Sequence, residues 1–478
     1  MTRLPVVAHA VLTAAHHALH KAVTAYSAST AHAPSTLTTH GTPLFVHGVW
    51  WFVWVVVIIK VLVAFIVLLV SVMLMIWFER KLISDMQSRI GPNRAGPWGL
   101  LQTLADGTKL FFKEDLLPER ADRRVFRLAP YLSLVPALLI FTVVPVGGIV
   151  TIAGHPFELQ VADPTIGILV VLAMSAIAVY GVMLAGWSSG SKYPLLGAVR
   201  ASAQMISYEA ALGITVVTVV LVTGSLSTRA IVESQASAFW DWNVIRLGIV
   251  PFVLFLVAIT AELTRPPFDL TEAEQELVGG FHTEYSSIRF AMFFLAEFMN
   301  VITMSAIVVT LFFGGPDGPI PHIPTFDVWF PSVWFLGKVF VFLFIYVWLR
   351  AALPRLRYDQ LMTLGWKYLI PLSLGWLLAV AGFLVDGWWG AGIIVGALIV
   401  TGLLVRAFSV GKDRSEHHPL LAPVGARVTR PSLVSVLSVP SGSRAVQGRA
   451  PGSPGGAPGV PGDGRTGQPD APGEGGAS

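Results

Sequence analysis

Residues 50–78 read WWFVWVVVIIKVLVAFIVLLVSVMLMIWF, and this stretch decides the fold class. Its single charged side chain is Lys60. A helix of about 20 apolar residues crosses the roughly 30 Å hydrocarbon core of a bilayer. The run is long enough to do so, and it therefore predicts a transmembrane α-helix.

The rest of the chain repeats this pattern. Of its 478 residues 54% are hydrophobic and only 13% are charged, with a mean hydropathy of +0.69, whereas soluble domains carry about 25% charged residues. Asp386-Gly387 is a turn dipeptide that divides the last apolar block in two. The predicted fold class is all-α, a polytopic transmembrane helix bundle. Its nine predicted helices cover 50–78, 131–152, 165–187, 201–223, 246–263, 288–313, 331–350, 368–385 and 389–406.

Composition predicts three regions. Residues 1–45 form a mobile N-terminal extension rich in Ala, Thr and His, and 46–408 form the membrane domain. Residues 409–478 are rich in Pro and Gly without a strict three-residue period, which predicts a disordered tail.

Lysine and arginine predict the orientation. They are frequent in the connections 79–130, 188–200 and 351–367 and absent from 153–164 and 314–330. Short loops rich in Lys and Arg stay in the cytoplasm. We therefore expect these three connections inside and the N-terminus outside. Lys60 and Lys338 lie toward the outer helix ends, where long side chains can reach the interface.

The chain contains no cysteine. This excludes disulfides, thiolate zinc sites and cysteine-bound iron–sulfur clusters, so any redox chemistry must come from a partner or a diffusible ligand. The net charge of +4 is small, and the basic residues flank apolar segments, so nucleic-acid binding is not expected.

The first informative cytoplasmic connection covers residues 79–115. Glu79 marks its beginning, and IGPNRAGPWG at 90–99 predicts a tight, irregular path. LLQTLADGTKLFF at 100–112 mixes apolar and polar residues in the manner of an amphipathic helix at the membrane interface. Such a helix either covers the bundle or frames an opening toward lipid.

The second connection is AELTRPPFDLTEAEQELVGGFHTEYSS at 261–287. Its two prolines end the preceding helix. A solvated acidic loop is one interpretation of its carboxylates. The other is a path for protons or hydrated ions, because Glu209 and Glu297 lie within predicted membrane helices, where a carboxylate must face the bundle interior. No metal is expected, since the acids are strung out along the chain rather than converging on one point.

Four motifs carry a resemblance to a known family: FERKLISDMQSRIGPNRAGPWGLLQTLADGTKLFFKED, GAVRASAQMISYEAALG, RPPFDLTEAEQELVGGFHTEYS and LPRLRYDQLMTLGWK. In this order they resemble the H-subunit family of bacterial NADH–quinone oxidoreductase, the respiratory complex I, whose mitochondrial counterpart is NADH dehydrogenase subunit 1. The resemblance covers about 50–385. It implies eight membrane helices, without the predicted helix 389–406.

The resemblance also implies a function, which is to form the access tunnel for quinone and to couple quinone reduction to proton pumping in the plasma membrane. The implied partners are the peripheral-arm quinone-site and iron–sulfur subunits, small membrane subunits and antiporter-like subunits. Quinone is the implied ligand, with no metal, flavin or cluster in this chain. The residues that match the family's cavity are Glu79, Arg89, Asp106 and Arg265. Those that match its acidic path are Glu209, Glu262, Asp269, Glu272, Glu274, Glu276, Glu284 and Glu297.

One residue departs from the family pattern. Phe298 stands where many relatives have tyrosine, which removes any hydrogen bond from that hydroxyl. Three alternatives remain open: the homologous subunit of a membrane-bound hydrogenase or of a complex with another donor, a stand-alone cation/proton antiporter, and a purely structural anchor.

Overall fold

A computed structural model describes residues 50–152, 155–236, 239–269, 278–318 and 330–385, together with Gly392 and Gly396. The predicted terminal segments 1–45 and 409–478 lie outside the described residues. So does the predicted helix 389–406, apart from the two glycines. These predictions, and the domain boundaries that depend on them, stay predictions.

The described chain folds into a helix bundle with one short β-hairpin. The helices are α1 (Trp50–Met86), α2 (Gln102–Phe112), α3 (Arg123–Thr142), α4 (Gly167–Ser188), α5 (Lys192–Thr223), α6 (Thr228–Glu233), α7 (Asn243–Arg246), α8 (Ile249–Glu262), α9 (Ser287–Phe312), α10 (Phe330–Ala352), α11 (Tyr358–Thr363) and α12 (Ile370–Val385). A π-helical segment, Leu364–Leu369, joins α11 to α12. Short 3₁₀ turns lie at Pro97–Gly99, Phe239–Asp241 and Gly280–His282. The strands β1 (Ile149–Ile152) and β2 (His155–Glu158) pair antiparallel.

The predicted fold class is confirmed. Within the described ranges, seven helices are long and apolar enough to cross a membrane. The eighth predicted span corresponds to α8, whose 14 residues extend only about 21 Å. Each of the eight spans predicted between 50 and 385 therefore contains a helix.

Three predicted spans had wrong boundaries, and the first of them, 50–78, continues as a helix to Met86. The span 131–152 is displaced, because the Asp122 carboxylate caps the backbone N–H groups of Arg124 and Val125 (3.0 and 3.4 Å) and starts α3 early. Residues after Thr142 form β1 instead of continuing the helix. The span 201–223 begins earlier, at Lys192, so most of the predicted basic loop is the first part of α5.

The core surrounds α9. In its most apolar stretch 72% of the residues are buried, compared with 11% for α1, and Met299, Val308 and Val309 are fully enclosed. Most side chains of α1 between 54 and 67 are exposed apolar groups, which suits a helix facing lipid.

The length of α1 determines where Glu79 lies. Its 37 residues extend roughly 55 Å, which exceeds the roughly 30 Å hydrocarbon core, and Glu79 lies toward its C-terminal end. The amphipathic helix α2 is present as predicted and none of its residues is buried. It is tied to α1 by the Thr103 hydroxyl, which donates to the Met73 carbonyl (3.3 Å). Just before α2, Trp77 Nε1 donates to the Trp98 carbonyl (3.0 Å).

Lys338, in the N-terminal half of α10, ties this helix to the C-terminal end of α9. Its ammonium donates to the carbonyls of Phe313, Gly315 and Asp317 at 2.7, 2.9 and 2.5 Å. It also lies 4.6 Å from the ring centre of Trp242. The ammonium is thus held by protein groups at a helix C-terminus, where a cation is favoured.

Candidate functional site

A cavity of about 640 Å³ lies at the C-terminal end of α1. Its wall is contributed by α1, the loop that follows it, Arg265, α9 and α10. Charged and apolar groups alternate along it. The lining residues are Ile76, Glu79, Arg80, Ile83, Ser84, Gln87, Arg89, Ile90, Gly91, Pro92, Arg265, Phe294, Glu297, Phe298, Arg350 and Ala351.

Four of these residues form a cluster of alternating charge. Glu79 and Arg265 are each 6% exposed, and Arg265 Nη1 lies 3.4 Å from Glu79 Oε1. Arg265 Nη2 lies 3.0 Å from Glu297 Oε1, and Arg350 makes a close ion pair with Glu79. Because a buried charge is costly unless paired, the four side chains hold one another in place.

The face of the Phe298 ring contacts Arg265 of this charge cluster. The Arg265 guanidinium carbon lies 4.4 Å from the centre of the Phe298 ring, a cation–π contact. This contact needs no hydroxyl. The departure from the family's tyrosine therefore leaves it intact.

Three of the four residues predicted for the cavity line it, namely Glu79, Arg89 and Arg265. Asp106 does not line it. Its carboxylate instead binds Arg80 Nη1 at 2.6 Å, and Arg80 is on the wall. Asp106 can therefore shape the cavity only through this arginine.

A smaller chamber of about 100 Å³ lies deeper in the bundle. Aliphatic side chains and four phenylalanine rings form the apolar part of its wall, and the polar residues on the wall are Ser133, Glu262, Thr264, His282, Glu297 and Asn300. Glu297 and Phe294 border both spaces. Glu297 is therefore the carboxyl group that the large cavity and the chamber share.

Glu262 connects the chamber to Glu209. Its side chain is buried at the end of α8. Glu209 on α5 is half-buried and close enough for the two carboxyls to interact electrostatically. The structure thus brings together Glu209, Glu262 and Glu297 from three different helices.

Buried side chains hold the first part of the acidic connection. Gln204, fully buried on α5, donates through Nε2 to the carbonyls of Ala261 and Phe268, both at 2.7 Å. Asp269 is 3% exposed and lies 3.5 Å from Arg355 Nη2. Two carbonyls from opposite sides of the double-proline turn are therefore fixed to the helix that carries Glu209.

The structure describes only one of the four remaining predicted acids. Glu284 is half-buried in the turn after the 3₁₀ segment Gly280–His282. Glu272, Glu274 and Glu276 lie outside the described residues, so their predicted roles stay predictions.

Sequence reasoning missed four functional candidates: Arg350, Arg355, Gln204 and His282. Arg350 lies in the last turn of α10, on the same predicted side as Glu79, and this shared side was the one available signal. The pairing partners of the others depend on tertiary contacts between distant segments.

Two titratable groups in the acidic connection are shifted by burial. Burial lowers the pKa of the His282 imidazole to about 4, and the Asp269 carboxylate opposes part of this shift. Burial likewise raises the pKa of the Tyr285 hydroxyl to about 12. That hydroxyl donates to the Phe126 carbonyl (3.1 Å), and the two rings stack with centres 3.9 Å apart.

No group of three or more His, Cys, Asp or Glu side chains suited to a metal ion was found in the part of the chain that the structure describes. The site combines ion pairs on the wall of the large cavity with carboxyl groups on the wall of the neighbouring chamber. Such groups titrate as a set. The arrangement is suited to binding a polar head group and to exchanging protons with it.

Comparison with known proteins gives a consistent result. The family model described as NADH dehydrogenase matches residues 59–381. A protein of Frankia alni, named as the H subunit of NADH-quinone oxidoreductase, is 50% identical over 360 residues, which cover 73% of this chain and 79% of the relative. A protein of the same name from Frankia casuarinae matches to the same extent.

Proposed function

Because the chain belongs to the NADH dehydrogenase family, we propose that it is the membrane subunit that forms the quinone-access tunnel of a proton-translocating NADH–quinone oxidoreductase. It would take part in the reaction in which NADH and protons reduce quinone, with no redox centre of its own. One observation carries the proposal: the large cavity and the chamber of coupled carboxyls share Glu297.

The wall of the large cavity suits a quinone. Ile76, Ile83 and Phe294 provide apolar surface for a prenyl tail, while Arg265 and Arg89 provide N–H donors for a carbonyl oxygen. The electrons would come from a cluster in a partner subunit, and two protons would be needed to complete the quinol.

The charge cluster gives a physical means of coupling. Negative charge that develops on the quinone attracts Arg265 and weakens its hold on Glu79 and Glu297. The balance of protonation then shifts at Glu297 and, through the chamber, at Glu262 and Glu209. Asp269 and Glu284, with Glu272, Glu274 and Glu276, would extend this acidic path.

The rest of the assembly follows the predicted orientation. The chain would anchor the peripheral arm through its inner connections and meet the small membrane and antiporter-like subunits within the bilayer. Its N-terminus would lie outside a bacterial plasma membrane, with the cavity opening on the cytoplasmic side.

The test compares Glu209→Gln and Glu297→Gln with wild type in membrane vesicles that contain the assembled complex. Both variants remove a titratable carboxyl and keep the side-chain shape, so proton translocation should fall. Glu233→Gln is the control, because Glu233 pairs with Arg229 at an exposed helix turn (2.9 Å) away from both spaces. Unchanged translocation in both path variants would refute the coupling role. Quinone reduction by wild-type vesicles with NADH but not with hydrogen as the donor would support this complex over a hydrogenase-type one.

A further inference from the structure

The small chamber contains polar atoms that the protein leaves unsatisfied. Glu262 Oε2, Ser133 Oγ and Asn300 Oδ1 are buried and have no hydrogen-bond partner among the described residues. All three side chains line the chamber. Since buried polar atoms in native proteins are almost always hydrogen-bonded, these atoms require partners that the described residues do not supply.

The chamber has room for such partners. Its volume of about 100 Å³ corresponds to about three water molecules, each of which takes roughly 30 Å³ and needs two to four polar partners. Glu297 and His282 add further polar groups on the same wall. The site is therefore both large enough and polar enough to be hydrated.

His282 is placed to join this water to the acidic connection. Phe281 and Phe290 hold its ring by edge contacts, with centres 4.9 and 5.4 Å away. Asp269 lies close enough to act on it electrostatically. A neutral imidazole donates from one ring nitrogen and accepts at the other. It can therefore accept a proton at one side and release another at the opposite side.

We propose that the chamber holds a chain of about three ordered water molecules and that His282 relays protons through it between Asp269 and Glu297. A proton binds to the free ring nitrogen, and the proton on the other nitrogen leaves to a chamber water. Ser133 and Asn300 position the waters. This relay rests on the proton-coupling function proposed above.

The surroundings agree with that role. The charged or titratable groups on the described chamber wall, besides His282 itself, are Glu262 from α8 and Glu297 from α9, while α4 and α5 contribute the uncharged Ala178, Val182, Ala201 and Met205. Burial lowers the pKa of His282, so the ring is neutral at neutral pH and passes a proton only when uptake at one ring nitrogen and release from the other occur together.

The first test is a structure of the assembled complex at a resolution that shows ordered water. We expect water within hydrogen-bond distance of Glu262 Oε2 and Asn300 Oδ1. A dry chamber would overturn the proposal, and this measurement needs no variant.

The second test uses His282→Gln in vesicles that contain the assembled complex. Glutamine keeps a polar side chain but cannot carry a proton, so protons translocated per quinone reduced should fall below the wild-type ratio, while quinone reduction with an uncoupler stays near wild type. Tyr285→Phe is the matched control from the same segment, because its hydroxyl bonds the Phe126 carbonyl. A wild-type proton ratio in His282→Gln would overturn the relay.

Glu262→Gln separates the relay from the function on which it rests. If Glu262→Gln loses coupling and His282→Gln does not, the proposed function stands and the relay fails. If neither variant loses coupling, the acidic path itself is wrong, and the relay falls with it.

Discussion

Replacing Arg265 by methionine tests the charge cluster most directly. The change removes the guanidinium between Glu79 and Glu297 and keeps a flexible side chain of similar length. Breaking a buried ion pair costs about 3–5 kcal/mol, because the remaining charge is left uncompensated. Loss of the contact with the Phe298 ring (4.4 Å) adds about 1–2 kcal/mol. Arg350 still pairs with Glu79, so we expect a net loss near the lower end, about 3 kcal/mol.

Arg80→Met is the matched control. Arg80 lies on the same cavity wall and pairs with Asp106 at 2.6 Å, but the two side chains are 44% and 38% exposed. Exposed ion pairs contribute about 0–1 kcal/mol. The free energy of unfolding of each purified variant, followed by circular dichroism in mixed micelles with increasing sodium dodecyl sulfate, compares the two.

A double variant sharpens the test. Adding Glu79→Gln to Arg265→Met removes one stranded carboxylate, and part of the lost stability should return. If Arg265→Met costs no more than Arg80→Met, or if the double variant is worse than the sum of its parts, the cluster does not depend on mutual compensation and the reasoning fails.

Five further substitutions test other parts of the structure. Gly99→Ala should prevent correct folding of the loop before α2, because Gly99 has φ +78 and an added Cβ would lie 2.5 Å from backbone atoms. Gly107→Ala should instead stabilise the protein by about 0.5–1 kcal/mol, because the space around Gly107 is open. Thermal unfolding of the two variants compares them. Lys338→Met should lower the thermal midpoint by leaving three carbonyls without their donor, and an unchanged midpoint would contradict this. Gln204→Met should cost about 2 kcal/mol or more in chemical unfolding, since two buried carbonyls lose a partner. The pKa of His282 is about 4 in the folded protein, compared with 6.5 for a histidine without this environment. Between pH 4 and pH 6.5 the unfolded chain therefore binds more protons at this residue than the folded protein does. Stability should therefore fall as pH drops from about 6.5 to about 4, and His282→Gln should flatten that part of the curve.

The sequence was enough to predict most of the long helices. Long apolar runs have one stable outcome in a bilayer, so α4 and α9 could be placed within a few residues. The start of α3 could not, because it depends on the capping side chain of Asp122. The hairpin at 149–158 was missed because its first strand continues an apolar run.

The site was harder to predict because charge pairing is a tertiary property. Glu79 and Arg265 lie far apart in the chain, and Arg350 lies farther still, so nothing local shows that they meet. His282 was missed for a similar reason. A lone histidine in a loop gives no sign that it borders an enclosed space.

The shortness of α8 has an electrical consequence. Its 14 residues extend about 21 Å, roughly 9 Å less than the hydrocarbon core. If its outer end reaches the outer surface, then Glu262 and the start of the acidic connection lie below the inner surface, within the membrane's field. A charge that crosses the whole membrane at 100 mV gains about 2.3 kcal/mol, so a proton that reaches Glu262 gains roughly a third of that. We therefore expect the protonation of this carboxyl to depend on membrane voltage as well as on pH.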